Sequence, residues 1–513
     1  MSYIVTLVIA GVAALGFLAG FGNIGNSGRG ETAAPPDAAH REPIIGHLRT
    51  FAKGPGAFTQ AFFEGLGSVA VVRFTVGILG IRGYAVRGAA ATRAILTSHA
   101  VDSRHVFPDA MKRMRLHNTG IFFNVTPSWK QNRKLLIEAV SRPRFLKALA
   151  PKIRAYLSDS VFPRLDAIAD STNKTIVMAD QLFCSFSLDI IFDIVFSENL
   201  GAAENYLQSL SEEDSTFRVN KNYRLLELIH ASFSAAVFYL KTPAIIYKFI
   251  PSAAAAARQH TANIDEYEAL LAEHLASKQD KIKRGENNDT QDDLATLLIQ
   301  LMESQESKMG FENVLSILRG AIGGGTDTSS NTMCFVLYEL ARHPDVMDKV
   351  YAEIREVALE SGGSFDSGNV AKLKLLEAAI FEAIRLHSVA QAVPRKLTED
   401  FALGQYVLRK DSMVFVTIQQ THLDPELWEN PHAFDPNRFL SPKNFGGPNN
   451  MGFAYAPFGY GARKWYGCNF SPGEALAMLE MKILMANICW RYSFELAEPS
   501  KPLNVKDDIL IIN

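Results

Sequence analysis

Apolar residues fall into three kinds of run along the chain, and their spacing predicts the elements. Residues 3–22 are uncharged and largely apolar over a length that crosses a bilayer at about 20 residues, and the polar, glycine-rich residues 23–30 follow. Residues 70–74 and 80–86 carry β-branched and aromatic side chains around a glycine turn, which predicts a hairpin in a small sheet. Residues 401–406 and 413–417 flank the polar turn Arg409-Lys410-Asp411-Ser412 and predict a second hairpin. Elsewhere the apolar spacing is mostly that of helices.

Within the helical part, residues 180–260 are rich in Phe, Ile and Ala, and residues 232–250 are especially apolar around Pro243. Residues 278–293 are charged, contain asparagine and Gly285, and read as a solvated connector. Residues 313–342 have helical periodicity interrupted by Gly323-Gly324-Gly325-Thr326-Asp327-Thr328-Ser329. Three glycines cost a helix roughly 1 kcal/mol each relative to alanine, so something must offset them. A last helix is expected from near Ser471, entered through Phe-Gly-Tyr-Gly-Ala-Arg-Lys-Trp-Tyr-Gly-Cys-Asn-Phe at residues 458–470.

Composition narrows the function classes. With 48% hydrophobic residues and a net charge of -2 over 513 residues, no global field argues for nucleic acid, and any basic surface must be local. Cys184, Cys334, Cys468 and Cys489 stand far apart, without metal-ligand spacing, and read as reduced, buried thiols. The uncharged start, with Arg29 and Arg41 after the apolar run, predicts a membrane anchor whose following body faces the cytosol.

Several patterns carry chemistry. Trp129 and Arg133, at i and i+4, put an indole and a guanidinium on one helix face. Asp327 and Thr328 offer a carboxylate and a hydroxyl of the kind acid–base chemistry needs. Glu382 and Arg385 lie one helical turn apart and can pair, and Arg438 can close a charge-assisted triad that fixes geometry.

Taken in order, these motifs resemble the cytochrome P-450 family over nearly the whole chain, from the proline-rich hinge at residues 42–48 to the final helix. The resemblance implies a mainly α fold with a small β subdomain, as residues 31–513, after an anchor and linker at residues 1–30. It implies heme b, with Trp129, Arg133 and Arg395 on its propionates and Phe458, Gly461, Arg463 and the residue at 465 in its binding loop. Asp327 would relay protons and Thr328 would hold water or oxygen, beside a distorted helical turn. The implied reaction is oxidation of a hydrophobic small molecule, such as a steroid, terpenoid or other secondary metabolite. Electrons would come from NADPH through a flavin reductase, for which Arg463 and Lys464 offer a basic docking face. The implied location is the endoplasmic reticulum membrane, with the catalytic domain in the cytosol. Residues 180–260 would include the substrate-access helices.

The loop departs from the family where the family has its iron-binding cysteine, since this chain has Trp465. A thiolate pushes electron density towards oxygen cleavage, whereas an indole offers an N–H and no usable lone pair. Cys468, about one helical turn on, would point away from the iron. The remaining readings are haem held without a thiolate, with Trp465 overfilling its proximal side at about 1–3 kcal/mol; a haem-free pocket turned to cyclisation or isomerisation; a mutated or miswritten monooxygenase; or a catalytically dead lipophile-binding or scaffold protein.

Overall fold

A segment with no polar stripe has to be buried on every side, and the helix Ala179–Phe196 is: nearly all its residues are sealed from solvent. It lies along Phe311–Arg342, a helix of 32 residues that runs through the middle of the fold. The computed structural model describes residues 34–43, 46–47, 49–50, 55–76, 81–101, 108–116, 129, 132–134, 143–168, 177–211, 221–242, 244–286, 293–304, 309–440, 452–460, 472–497, 506–507 and 511–512. Around the central helix pack Lys221–Lys241, Pro251–Lys283, Leu294–Glu303, Lys374–Leu386 and Pro472–Arg491, and one large apolar core joins them. The fold is mainly helical with a small β region, as predicted.

The first predicted hairpin is present. Strands β1 (Val71–Val76) and β2 (Ile81–Val86) pair antiparallel. They continue into a four-stranded sheet of order β1-β2-β6-β3, in which β6 (Met413–Thr417) lies parallel to β2 and antiparallel to β3 (Ala392–Lys396).

The second hairpin differs from its prediction. Its arms are β4 (Phe401–Leu403) and β5 (Tyr406–Leu408), and the chain reverses at Gly404, whose φ of 59° suits glycine. Residues 413–417 are instead buried throughout, so this strand pairs on both edges inside the larger sheet rather than serving as a hairpin arm.

Two other expectations are corrected. The connector read at residues 278–293 is not solvated at its ends, because Lys278 lies in the Pro251–Lys283 helix and its Nζ meets Asp293 Oδ2 at 2.6 Å, both buried. Asp293 also caps the next helix by accepting from the Thr296 N–H at 2.7 Å. The glycine run does not interrupt the central helix, which is continuous from Phe311 to Arg342.

Among the described residues no helix is long and apolar enough to cross a membrane. Residues 3–22 lie outside the described residues.

Candidate functional site

The charged anchor below the central helix assembles from three segments. Arg385 donates to both oxygens of Glu382, from Nε at 2.7 Å and from Nη2 at 2.8 Å, and both side chains are fully buried. Arg438 Nε donates to Glu382 Oε1 at 3.2 Å, and the backbone N–H of Asp435 donates to the same oxygen at 2.9 Å. Arg385 spends its remaining donors on the carbonyls of His422, Pro431 and Ala433. Every strong donor and acceptor of the pair is therefore used, which is what makes a buried ion pair tolerable. The network pins the segment around residues 422–438 to the Lys374–Leu386 helix.

His422 carries that anchoring on towards the glycine loop. Its Nε2 accepts from the Ala456 N–H at 3.0 Å, and Nδ1 lies 2.8 Å from Ser388 Oγ. Burial, reinforced by the nearby Arg385 charge, pulls its pKa down to about 3, so the ring is neutral and accepts at Nε2. Phe458, two residues after Ala456, is half-buried, and Tyr460 ties back to the Gly452 carbonyl at 2.8 Å. Gly461, Arg463, Trp465 and Cys468 lie outside the described residues.

Of the residues expected to hold propionates, Trp129 and Arg133 are together: the guanidinium carbon sits 5.6 Å from the indole centroid, and Trp129 is buried. Between them in sequence, the buried Asn132 has an amide nitrogen with no hydrogen-bond partner among the described residues. Arg395, on β3, is buried, with Nη1 on the Pro394 carbonyl at 3.0 Å. An orphaned amide donor beside an indole and a guanidinium is a donor set that suits carboxylates, and so fits the rim of a haem. The iron's own ligand is another matter, because the sequence offers Trp465 where the resemblance requires a thiolate.

On the central helix the two predicted catalytic residues diverge. Thr328, half-buried, donates to the Gly324 carbonyl at 2.7 Å, one turn back. Asp327 is fully buried and turns towards neighbouring helices, with Oδ1 3.3 Å from His230 Nε2 on Lys221–Lys241. Cys184, on Ala179–Phe196, completes a cluster whose polar atoms all lie within 4.8 Å of one another. Burial works against charge on His230, but the Asp327 carboxylate and the Cys184 sulfur beside it outweigh burial and raise its pKa to about 10. Cys184 and His230 had no sequence signal at all, since the three residues come from three distant segments. His422 was equally hidden, being a lone histidine in an unremarkable stretch.

Comparison with known proteins follows the same lines. A family model described as Cytochrome P450 matches residues 36–512. The chain is 27% identical over 384 residues to the mitochondrial cholesterol side-chain cleavage enzyme of Mesocricetus auratus, covering 74% of this chain and 67% of that one. It is 24% identical over 391 residues to (+)-vincadifformine 19-hydroxylase of Catharanthus roseus, covering 74% and 71%. The crystallised heme domain of cytochrome P450DA matches with a TM-score of 0.74 at 20% identity, over 93% of this chain and 95% of that one, a likeness of fold.

Proposed function

Because the chain belongs to the cytochrome P450 family, we propose that it is a monooxygenase-type oxidoreductase for a hydrophobic small molecule of secondary metabolism, with its iron deprived of thiolate by Trp465. The observation that carries the reading is the donor set at Trp129, Asn132 and Arg133, the first two buried and Arg133 half-buried, in which the Asn132 amide nitrogen has no hydrogen-bond partner among the described residues and which suits a dianionic cofactor rim. Relatives named for cholesterol and for vincadifformine support a hydrophobic substrate.

When bound, haem supplies oxygen chemistry whose strength depends on its axial ligand. This chain's own residues contribute the rest. Arg133, Arg395 and Trp129 hold the carboxylates, and the Glu382–Arg385–Arg438 network keeps the segment leading to the loop in register. Thr328, whose hydroxyl donates to the Gly324 carbonyl, holds a water with its free lone pair, and Asp327 supplies a proton-carrying carboxylate. Residues 3–22 tether the body to the endoplasmic reticulum membrane, where a flavin reductase using NADPH reaches its basic face at Arg463.

Haem content per chain tests the cofactor half of this reading. Arg133→Ala and Arg395→Ala are each expected to weaken haem binding by about 10- to 100-fold, read as lower haem content per chain, while the chain still unfolds cooperatively, because each removes a charge-assisted contact worth about 1.5–3 kcal/mol. Undiminished haem in both variants would remove these residues from the cofactor site.

A further inference from the structure

The cluster at Cys184, His230 and Asp327 has a feature that the oxidase reading does not use. Asp327 has no exposed surface, yet among the described residues neither carboxylate oxygen has a hydrogen-bond partner, and His230 Nε2 also lacks one. The 3.3 Å approach of His230 to Asp327 brings the charges together without hydrogen-bond alignment. A buried carboxylate left in that state is costly unless something else satisfies it. The third member, Cys184, is also buried, and its Sγ lies 3.2 Å from Ser330 Oγ.

We propose that Cys184, His230 and Asp327 form a zinc site that ties together the helices Ala179–Phe196, Lys221–Lys241 and Phe311–Arg342. The inference is independent of haem and of Trp465, but a bound zinc takes Asp327 out of the proton path, so that role belongs to the metal-free chain. One sulfur, one imidazole nitrogen and one carboxylate oxygen are the ligand types that zinc takes, and a thiolate in the set disfavours magnesium and calcium.

Geometry allows it. Three atoms no more than 4.8 Å apart share a point within 4.8 Å divided by √3, about 2.8 Å, of each, and zinc bonds of about 2.0–2.3 Å need only small side-chain adjustments. A nucleophilic triad is a poorer fit. It requires the carboxylate on the imidazole nitrogen remote from the sulfur and aligned as an acceptor, whereas Asp327 faces Nε2 without hydrogen-bond alignment.

Binding is balanced by proton release. The metal displaces the Cys184 thiol proton and the proton held by His230, so a dication meets a thiolate, a carboxylate and a neutral imidazole. Ser330, which accepts from Cys184 and donates to the Asp327 carbonyl at 3.2 Å, then turns its O–H from that carbonyl to the thiolate as an outer partner. The fourth position is left for water. Because His230 belongs to the half-exposed face of Lys221–Lys241, the metal would clamp that helix down on the central one.

The test uses the full chain, purified without chelator and dialysed against metal-free buffer. Zinc is counted by mass spectrometry and its shell is read by X-ray absorption at the zinc edge. The expected result is about one zinc per chain, with one sulfur at about 2.3 Å and nitrogen or oxygen at about 2.0–2.1 Å, irrespective of haem content. Cys184→Ser and His230→Gln should each weaken zinc binding by at least about 100-fold, since even outer-shell losses reach 10–100-fold. His230→Gln sits at a partly exposed position and keeps the test open if the core variant fails to fold. Absence of retained zinc, a shell without sulfur, or zinc undiminished in His230→Gln would overturn the site.

Discussion

The side chain of Ile191 occupies the place that a Cβ on Gly325 would need: Ile191 Cδ1 and Cγ1 both lie 2.8 Å from that position. The helices Ala179–Phe196 and Phe311–Arg342 therefore approach one another through a missing side chain. This close packing offsets part of what the glycines cost the central helix.

Gly325→Ala should accordingly destabilise the protein, although alanine is the better helix former. Overpacking costs about 1–3 kcal/mol against a propensity gain of about 1 kcal/mol, so a net loss of about 1 kcal/mol is expected by chemical denaturation. The Gly325→Ala penalty should be smaller in an Ile191→Ala background, which removes both close carbons and leaves Cβ at an ordinary 3.5 Å. A Gly325→Ala variant as stable as the parent would mean that the helices separate freely here.

Glu480, fully buried on Pro472–Arg491, accepts from Ser187 Oγ at 3.0 Å and Ser329 Oγ at 3.3 Å. Burial pushes its pKa up to about 8, against the smaller opposing pull of the two hydroxyls. A raised carboxyl pKa means that the folded state holds a proton the unfolded state has lost. The contribution is thus whole below the unfolded value near 4.5 and drains away as pH rises towards 8. Glu480→Gln keeps the shape without the charge. Its melting temperature should match the parent near pH 4.5 and pull ahead as pH rises, by an equivalent on the order of 3 kcal/mol at pH 7. Parallel melting profiles across that range would contradict the assignment.

Removing one side of the Glu382–Arg385 pair leaves the other charge buried and unpaired. Arg385→Ala should cost about 3–5 kcal/mol, seen as a lower denaturation midpoint or loss of soluble protein. Arg438→Ala, at the rim of the network, should be the milder change. The reverse order would show that the buried pair is not the anchor.

Thr328 and Asp327 are distinguished from mere helix residues by coupling, the product formed per NADPH consumed. With Trp465→Cys as background, Thr328→Val and Asp327→Asn should each reduce product formation by about 10- to 100-fold, in the range of acid–base contributions. Thr328→Ser should restore much of it. Unchanged coupling in both would remove them from the proton path.

What the sequence disclosed was whatever repeats locally or by fixed motif spacing. The β1–β2 hairpin, the Glu382–Arg385 pair and the proximity of Trp129 to Arg133 follow from i, i+3 or i+4 relations or from alternation, whereas Arg438, far along the chain, was legible only from the order of the motifs. What stayed hidden depends on contacts between remote segments. Residues 413–417 look like a hairpin arm until the sheet supplies a neighbour on each edge, and Lys278 looks solvated until Asp293 meets it. The glycine run likewise reads as a break because no local rule records that Ile191 will fill the gap. Cys184, His230 and Asp327 are brought together only by the packing of three helices.

The central claim is that this scaffold accepts haem while Trp465 withholds the sulfur its iron needs. The most direct measurement is the carbon-monoxide difference spectrum of the reduced native protein beside that of Trp465→Cys, both reconstituted with haem. A Soret band without the thiolate signature in the native protein, and that signature gained in the variant, is the predicted result. A thiolate signature already present in the native protein, or none in the variant with haem bound, would contradict it.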